Sequence, residues 1–134
     1  MRYNRLMLTP KNLQVLRHLY AFARDRHFWP SSYELAKRLH KSQRATYDHL
    51  QLLKAHHLVV LHEARSSSYW RLTTEACELL KVEPPEILND QPSRILRNNP
   101  GKYAAYRRKQ LLIQRLNTWK AYNPGALNQI ELVE

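Results

Sequence analysis

The stretch Ser31-Ser32-Tyr33-Glu34-Leu35-Ala36-Lys37-Arg38-Leu39, then His40-Lys41, then Ser42-Gln43-Arg44-Ala45-Thr46-Tyr47-Asp48-His49-Leu50-Gln51-Leu52-Leu53, spells two short helices around a tight turn. Leu35, Ala36 and Leu39 fall on one face of the first helix. Ala45, Leu52 and Leu53 fall on one face of the second, with Leu50 at its margin, and these faces are expected to be buried. Gln43, Arg44, Tyr47 and Asp48 then point outward near the start of the second helix, with Thr46 at the edge. A helix-turn-helix protein pushes that end into the major groove of DNA. The pattern therefore implies DNA binding.

Reading outward, Thr9-Pro10 opens an earlier helix, with threonine as cap and proline in the first helical position. Leu13, Leu16, Tyr20 and Ala23 recur on it at helical spacing, with Val15 and Leu19 widening the stripe. Phe28-Trp29-Pro30 ends it, because the residue before proline is driven out of the helical region. Ser31 or Ser32 caps the next helix, and Glu34 stands where a capping box from Ser31 wants it. After the second motif helix, Leu58-Val59-Val60-Leu61 and Tyr69-Trp70-Arg71-Leu72 have strand character, joined by a polar tip at residues 62–68. A hairpin in that place is a wing. Thr73 or Thr74 caps a short helix beyond it, with Cys77 as a small core residue.

The composition changes at Glu83-Pro84-Pro85, and prolines 84, 85, 92 and 100 punctuate what reads as a linker. Two copies of Asn-Pro-Gly, at 99–101 and 123–125, are read as turns bracketing a helix from Lys102 to Tyr122. Ala105, Leu112, Leu116 and Trp119 form a stripe on that helix, with Ile113 and Tyr106 nearby. The expected architecture is α+β, a mostly helical winged helix-turn-helix with a two-stranded wing and an additional C-terminal helix. Its parts are a winged helix over 1–82, a Pro-rich linker over 83–101, and a basic amphipathic helix and tail over 102–134.

The net charge of +11 points to an anionic partner, most simply nucleic acid. The excess is uneven: residues 1–30 carry +5, 31–72 carry +4, 73–90 carry −4 and 91–134 carry +6. From Gln91 to Ile130 there is no Asp or Glu. A single cysteine excludes an intrachain disulfide framework and fits a reducing compartment. No apolar run is long enough to cross a bilayer, and the first residues lack the hydrophobic stretch of a secretion signal, so a cytoplasmic location is expected. With two glycines in the chain, a glycine-rich phosphate loop is excluded. His56, His57 and His62 group without metal-ligand spacing, and no nucleophile–base pair is defensible. No enzyme activity, metal or cofactor is expected.

Residues 8–72 resemble the N-terminal DNA-binding domain of the SOS repressor LexA family and, more loosely, other bacterial winged-helix regulators. The resemblance rests on Leu8-Thr9, on Glu34-Leu35-Ala36-Lys37-Arg38-Leu39, and on the second motif helix with its opening Ser42 and His49-Leu50 pair. It implies that Ser42, Arg44, Ala45, Tyr47 and Asp48 occupy base-facing positions. The turn and the wing lack that family's glycines, and its self-cleaving protease domain has no counterpart in these residues, so no autoproteolysis is implied.

On chemical grounds Arg44 suits guanine and Gln43 adenine, while Asp48 either accepts from cytosine or orients Arg44 one turn away. Tyr47 suits a thymine methyl or a phosphate. Arg65 and Ser66, in the wing tip, suit a phosphate or an adjacent minor groove. Arg107, Arg108, Lys109 and Arg115 suit flanking phosphates. Trp29 and Trp70 read as core. The expected function is sequence-specific binding of double-stranded DNA by a small transcriptional regulator of a bacterium, phage or mobile element. A homodimer through the C-terminal helix is expected. Two other classes fit the same pattern. One is a DNA-binding component of a replication, partition or transposition complex. The other is an inhibitor that blocks a host nucleic-acid-binding protein.

Overall fold

The computed structural model describes residues 8–63 and 68–125. Its elements are α1 (Pro10–Arg26), α2 (Ser32–Leu39), α3 (Gln43–Ala55), β1 (Val59–Glu63), β2 (Ser68–Leu72), α4 (Thr74–Leu80), α5 (Arg94–Arg97) and α6 (Pro100–Tyr122). They form two compact units, divided between Ile87 and Leu88. The first holds α1 to α4 and the hairpin. This is the expected mostly helical winged helix with a two-stranded wing and a C-terminal helix.

The helix starts follow local chemistry. Thr9 accepts from the Asn12 amide, Ser42 from Ala45 and Thr73 from Ala76. Ser31 closes a full capping box with Glu34, whose Oε1 accepts from the Ser31 amide at 3.0 Å. The helix ends are less ordinary. α1, α2 and α4 stop on His27, His40 and Lys81, all at left-handed φ between 56° and 64°. Glycine is the usual residue there, and each substitute stores about 1 kcal/mol of backbone strain or more. At His40 the strain coincides with the sharp turn between α2 and α3, where the Lys41 amide donates back to Ala36.

The core of the first unit gathers Val15, Leu16 and Leu19 of α1, Leu35 and Leu39 of α2, Leu50 and Leu53 of α3, and Val59, Trp70 and Leu72 of the hairpin. Burying each of the larger side chains contributes about 1.5–3 kcal/mol. The hairpin is antiparallel, with Leu61 opposite Trp70 and Val59 opposite Leu72, so alternate residues feed this core. The Trp70 amide also donates to the Pro30 carbonyl at 2.9 Å, tying the hairpin to the entry of α2. Trp29 and Trp70 are buried, as read from the sequence, and burial pushes the Cys77 thiol pKa up.

One reading of a helix face is corrected. The inner stripe of α3 is Thr46, Leu50 and Leu53, not Ala45, Leu52 and Leu53. Leu52 is exposed, and the true face is turned by about one residue, or 100°. Thr46 can be buried because its hydroxyl donates to the Ser42 carbonyl at 3.0 Å, which removes the polar penalty. On α6 the buried residues are Tyr103 and Leu111, while Leu112, Ile113, Leu116 and Trp119 of the expected apolar stripe are exposed.

The second unit also departs from the sequence reading in two places. The stretch read as linker contains the helix α5, capped by Ser93. The first Asn-Pro-Gly is no turn: Asn99 caps α6, accepting from Lys102, and Pro100 takes the first helical position. Asparagine caps well and proline needs no amide partner there, so the same three residues start a helix. At the second copy Gly125 holds φ 86°, as a turn requires.

Candidate nucleic-acid interface

α3 is held from beneath by its Thr46–Leu50–Leu53 stripe, which leaves its first turns on the surface. Arg44 and Asp48 lie outermost, with side chains 88% and 65% exposed. Their nearest approach, Nε to Oδ1, is 3.6 Å across one helical turn. A pair so exposed and so long contributes little to stability. It leaves both groups able to exchange each other for a base edge.

Gln43 is exposed but tethered, its Nε2 donating to the Ser32 hydroxyl of α2 at 3.2 Å. Tyr47 sits edge-on to Trp70, ring centroids 6.0 Å apart, so the wing's buried tryptophan fixes the angle of a surface tyrosine. Ser42 spends its side chain on the cap. Thr46, expected at the edge of the reading face, is fully buried and has no surface to offer a base. Arg65 and Ser66 lie outside the described residues. On the described strands of the hairpin, His62 stacks on Tyr69 at 4.9 Å and accepts a hydrogen bond from Arg71 Nε on its own Nε2.

Sequence reasoning missed a second group on α3. His49 Nδ1 is 2.6 Å from Oδ1 of Asn12, a buried residue in the first turn of α1. Burial lowers the His49 pKa first, and the nearby charges of Lys41 and Lys11 lower it further, against a smaller opposing effect of Asp48. The available signal was Asn12 itself, a polar residue in register with Val15, Leu16 and Leu19 on the core face of α1. A buried amide there demands a polar partner.

The four basic residues proposed on α6 do not form one surface. Arg108, Lys109 and Arg115 are exposed and flank the outer apolar stripe. Arg107 is half-buried on the opposite side, its guanidinium 5.6 Å from the ring centre of Tyr103. Among the described residues there is no cluster of three or more His, Cys, Asp or Glu fit to hold a metal ion, and no helix is long and apolar enough to cross a membrane.

Two helices around a tight turn, followed by an antiparallel hairpin, define a winged helix-turn-helix protein. No protein-family model matches the chain, and no curated protein sequence matches it significantly. Solved structures do. One is MepR, a transcription regulator of the Staphylococcus aureus multidrug efflux pump MepA. It aligns over 94% of this chain and 82% of its own, with 15% identity and a TM-score of 0.50. A mutant of the same S. aureus protein, bound to an oligodeoxyribonucleotide, aligns over the same shares with 16% identity and a TM-score of 0.50. A mutant of Lactococcus lactis ZitR covers 92% of this chain and 80% of its own, with 15% identity and a TM-score of 0.48. The likenesses to MepR support a winged helix in general, not the SOS repressor in particular.

Proposed function

We propose that this chain binds double-stranded DNA sequence-specifically through α3 and the wing, and acts as a small transcriptional regulator. The observation that carries this reading is the outward first turns of α3. Arg44, Gln43, Tyr47 and Asp48 stand on the surface of a helix that its buried stripe holds in one orientation. The basic balance supplies the attraction to phosphates. The DNA-bound MepR mutant, a protein of the same fold, adds support. In this reading residues 1–82 are the DNA-binding domain and 102–134 a basic arm, joined through 83–101. The base-facing set is Gln43, Arg44, Tyr47 and Asp48, with Ser42 spent on the cap and Thr46 buried.

The test begins with selection of bound duplexes from a random pool, which should return a defined site. Arg44→Ala should then weaken binding to that site by about 1–3 kcal/mol and relax preference at one base pair. A folded mutant with unchanged affinity and selectivity would mean that another element reads the bases.

The outer stripe of α6 supports a second copy of the chain as partner. Leu112, Leu116 and Trp119, with Ile113 beside them and Tyr122 one turn on, leave a long apolar face in contact with water. Arg108, Lys109 and Arg115 border it without any nearby carboxylate on α6, so two copies repel at the rim and attract at the centre. Sedimentation should show a dimer that tightens as salt is raised. A chain that stays monomeric at every salt concentration, well above the range of DNA binding, would remove this pairing.

A further inference from the structure

We propose that His49, pinned by Asn12 between α1 and α3, is a backbone-phosphate contact whose protonation is coupled to DNA binding. The proposal deepens the DNA-binding reading and rests on it. Asn12 Oδ1 can only accept, so the His49 nitrogen 2.6 Å away, Nδ1, carries the hydrogen. In the neutral ring the basic site is then Nε2, on the far side from the buried amide. Asn12 is almost fully buried, and its backbone amide is held by the Thr9 hydroxyl, so the anchor has little freedom.

The position favours phosphate over bases. His49 lies about 140° around α3 from Arg44, at 100° per residue, and faces the first turn of α1. In protein–DNA complexes about half or more of the hydrogen bonds go to phosphate and sugar, and a group turned away from the reading face has no base edge to meet. Three elements meet here: Lys11 on α1, Lys41 in the turn before α3, and His49 with Asp48 on α3.

The electrostatics then change sign on binding. In the free protein, burial and the two lysines disfavour a proton on His49, and Asp48 only partly offsets them. The same lysines attract a phosphate, and a phosphate beside Nε2 favours the imidazolium. Because the bound state holds its proton to higher pH than the free state, DNA affinity rises as pH falls between the two midpoints. Above both midpoints affinity is flat.

The test titrates the histidine ring signals of the full chain by NMR, free and saturated with a random-sequence duplex of about 20 base pairs at low salt. The His49 signal is assigned by its loss in His49→Gln. The expected result is a His49 midpoint that moves up on binding, with Nδ1 remaining protonated throughout. Duplex affinity measured from about pH 8 down to about pH 6 should tighten by up to about tenfold per unit inside that window. In His49→Gln, whose amide can still donate to Asn12, affinity should be flat over the same range. A midpoint identical in free and bound protein overturns the proposal, and if the variant does not fold, the wild-type ring, assigned through its own backbone signals, decides the matter. A pH dependence that survives in a folded His49→Gln also overturns it, by placing the linkage on another group. A chain that binds no duplex at any pH overturns both this inference and the function beneath it.

Discussion

Trp70→Ala is expected to cost about 3–5 kcal/mol of stability, the range for removing a buried tryptophan and leaving a cavity. Trp70 is 1% exposed, belongs to the central core cluster and meets Tyr47 edge-on. For a unit of this size the loss corresponds to a melting midpoint lowered by more than about 12 °C. Trp70→Phe should recover much of that loss by keeping apolar volume. Ile95→Ala, at an exposed position on α5, serves as the contrast and should barely move the midpoint. Thermal melts of the three variants measure the difference. A small loss in Trp70→Ala alone would mean that the hairpin does not pack into the α1–α3 core. The tryptophan also sets the position of a surface tyrosine. Trp70→Phe should therefore bind DNA less tightly than its near-normal stability suggests.

Replacing Arg108, Lys109 and Arg115 together by glutamine should flatten the slope of log affinity against log salt by about 2–3 per protomer. Each released phosphate contact accounts for roughly 0.9. The effect should be alike for site and random DNA, because phosphate contacts carry no sequence information. Arg107→Gln should leave the slope nearly unchanged, since that side chain is half-buried over Tyr103 on the other side of α6. Binding isotherms at four or five salt concentrations distinguish the two cases. An unchanged slope in the triple variant would confine the DNA footprint to the winged helix.

These expectations rest on different levels of the chain. Local chemistry in the sequence was sufficient for the element order of the first unit, because capping residues, prolines and hydrophobic periods act within a few residues. Thr9-Pro10, the Ser31–Glu34 box and Ser42 each open a helix at the place they announce. The strand character of 58–61 and 69–72 likewise locates the hairpin, and the charge count alone points to an anionic partner.

Tertiary structure decided which way the helices face. On α3 the sequence offers Ala45, Leu52 and Leu53 as an apolar face, yet the buried stripe runs through Thr46. A threonine counts as polar until its hydroxyl finds the Ser42 carbonyl, and that bond exists only once the helix has formed. The consequence reaches the interface: Thr46 leaves it, and His49 comes against Asn12, 37 residues away in sequence. On α6 the apolar stripe is legible as a pairing face, but only the fold shows that Tyr103 and Leu111 are buried and that Arg107 goes to a different side from Arg108, Lys109 and Arg115. Periodicity tells how many residues share a face. Which face meets the protein depends on partners distant in sequence, and those contacts are made only by folding.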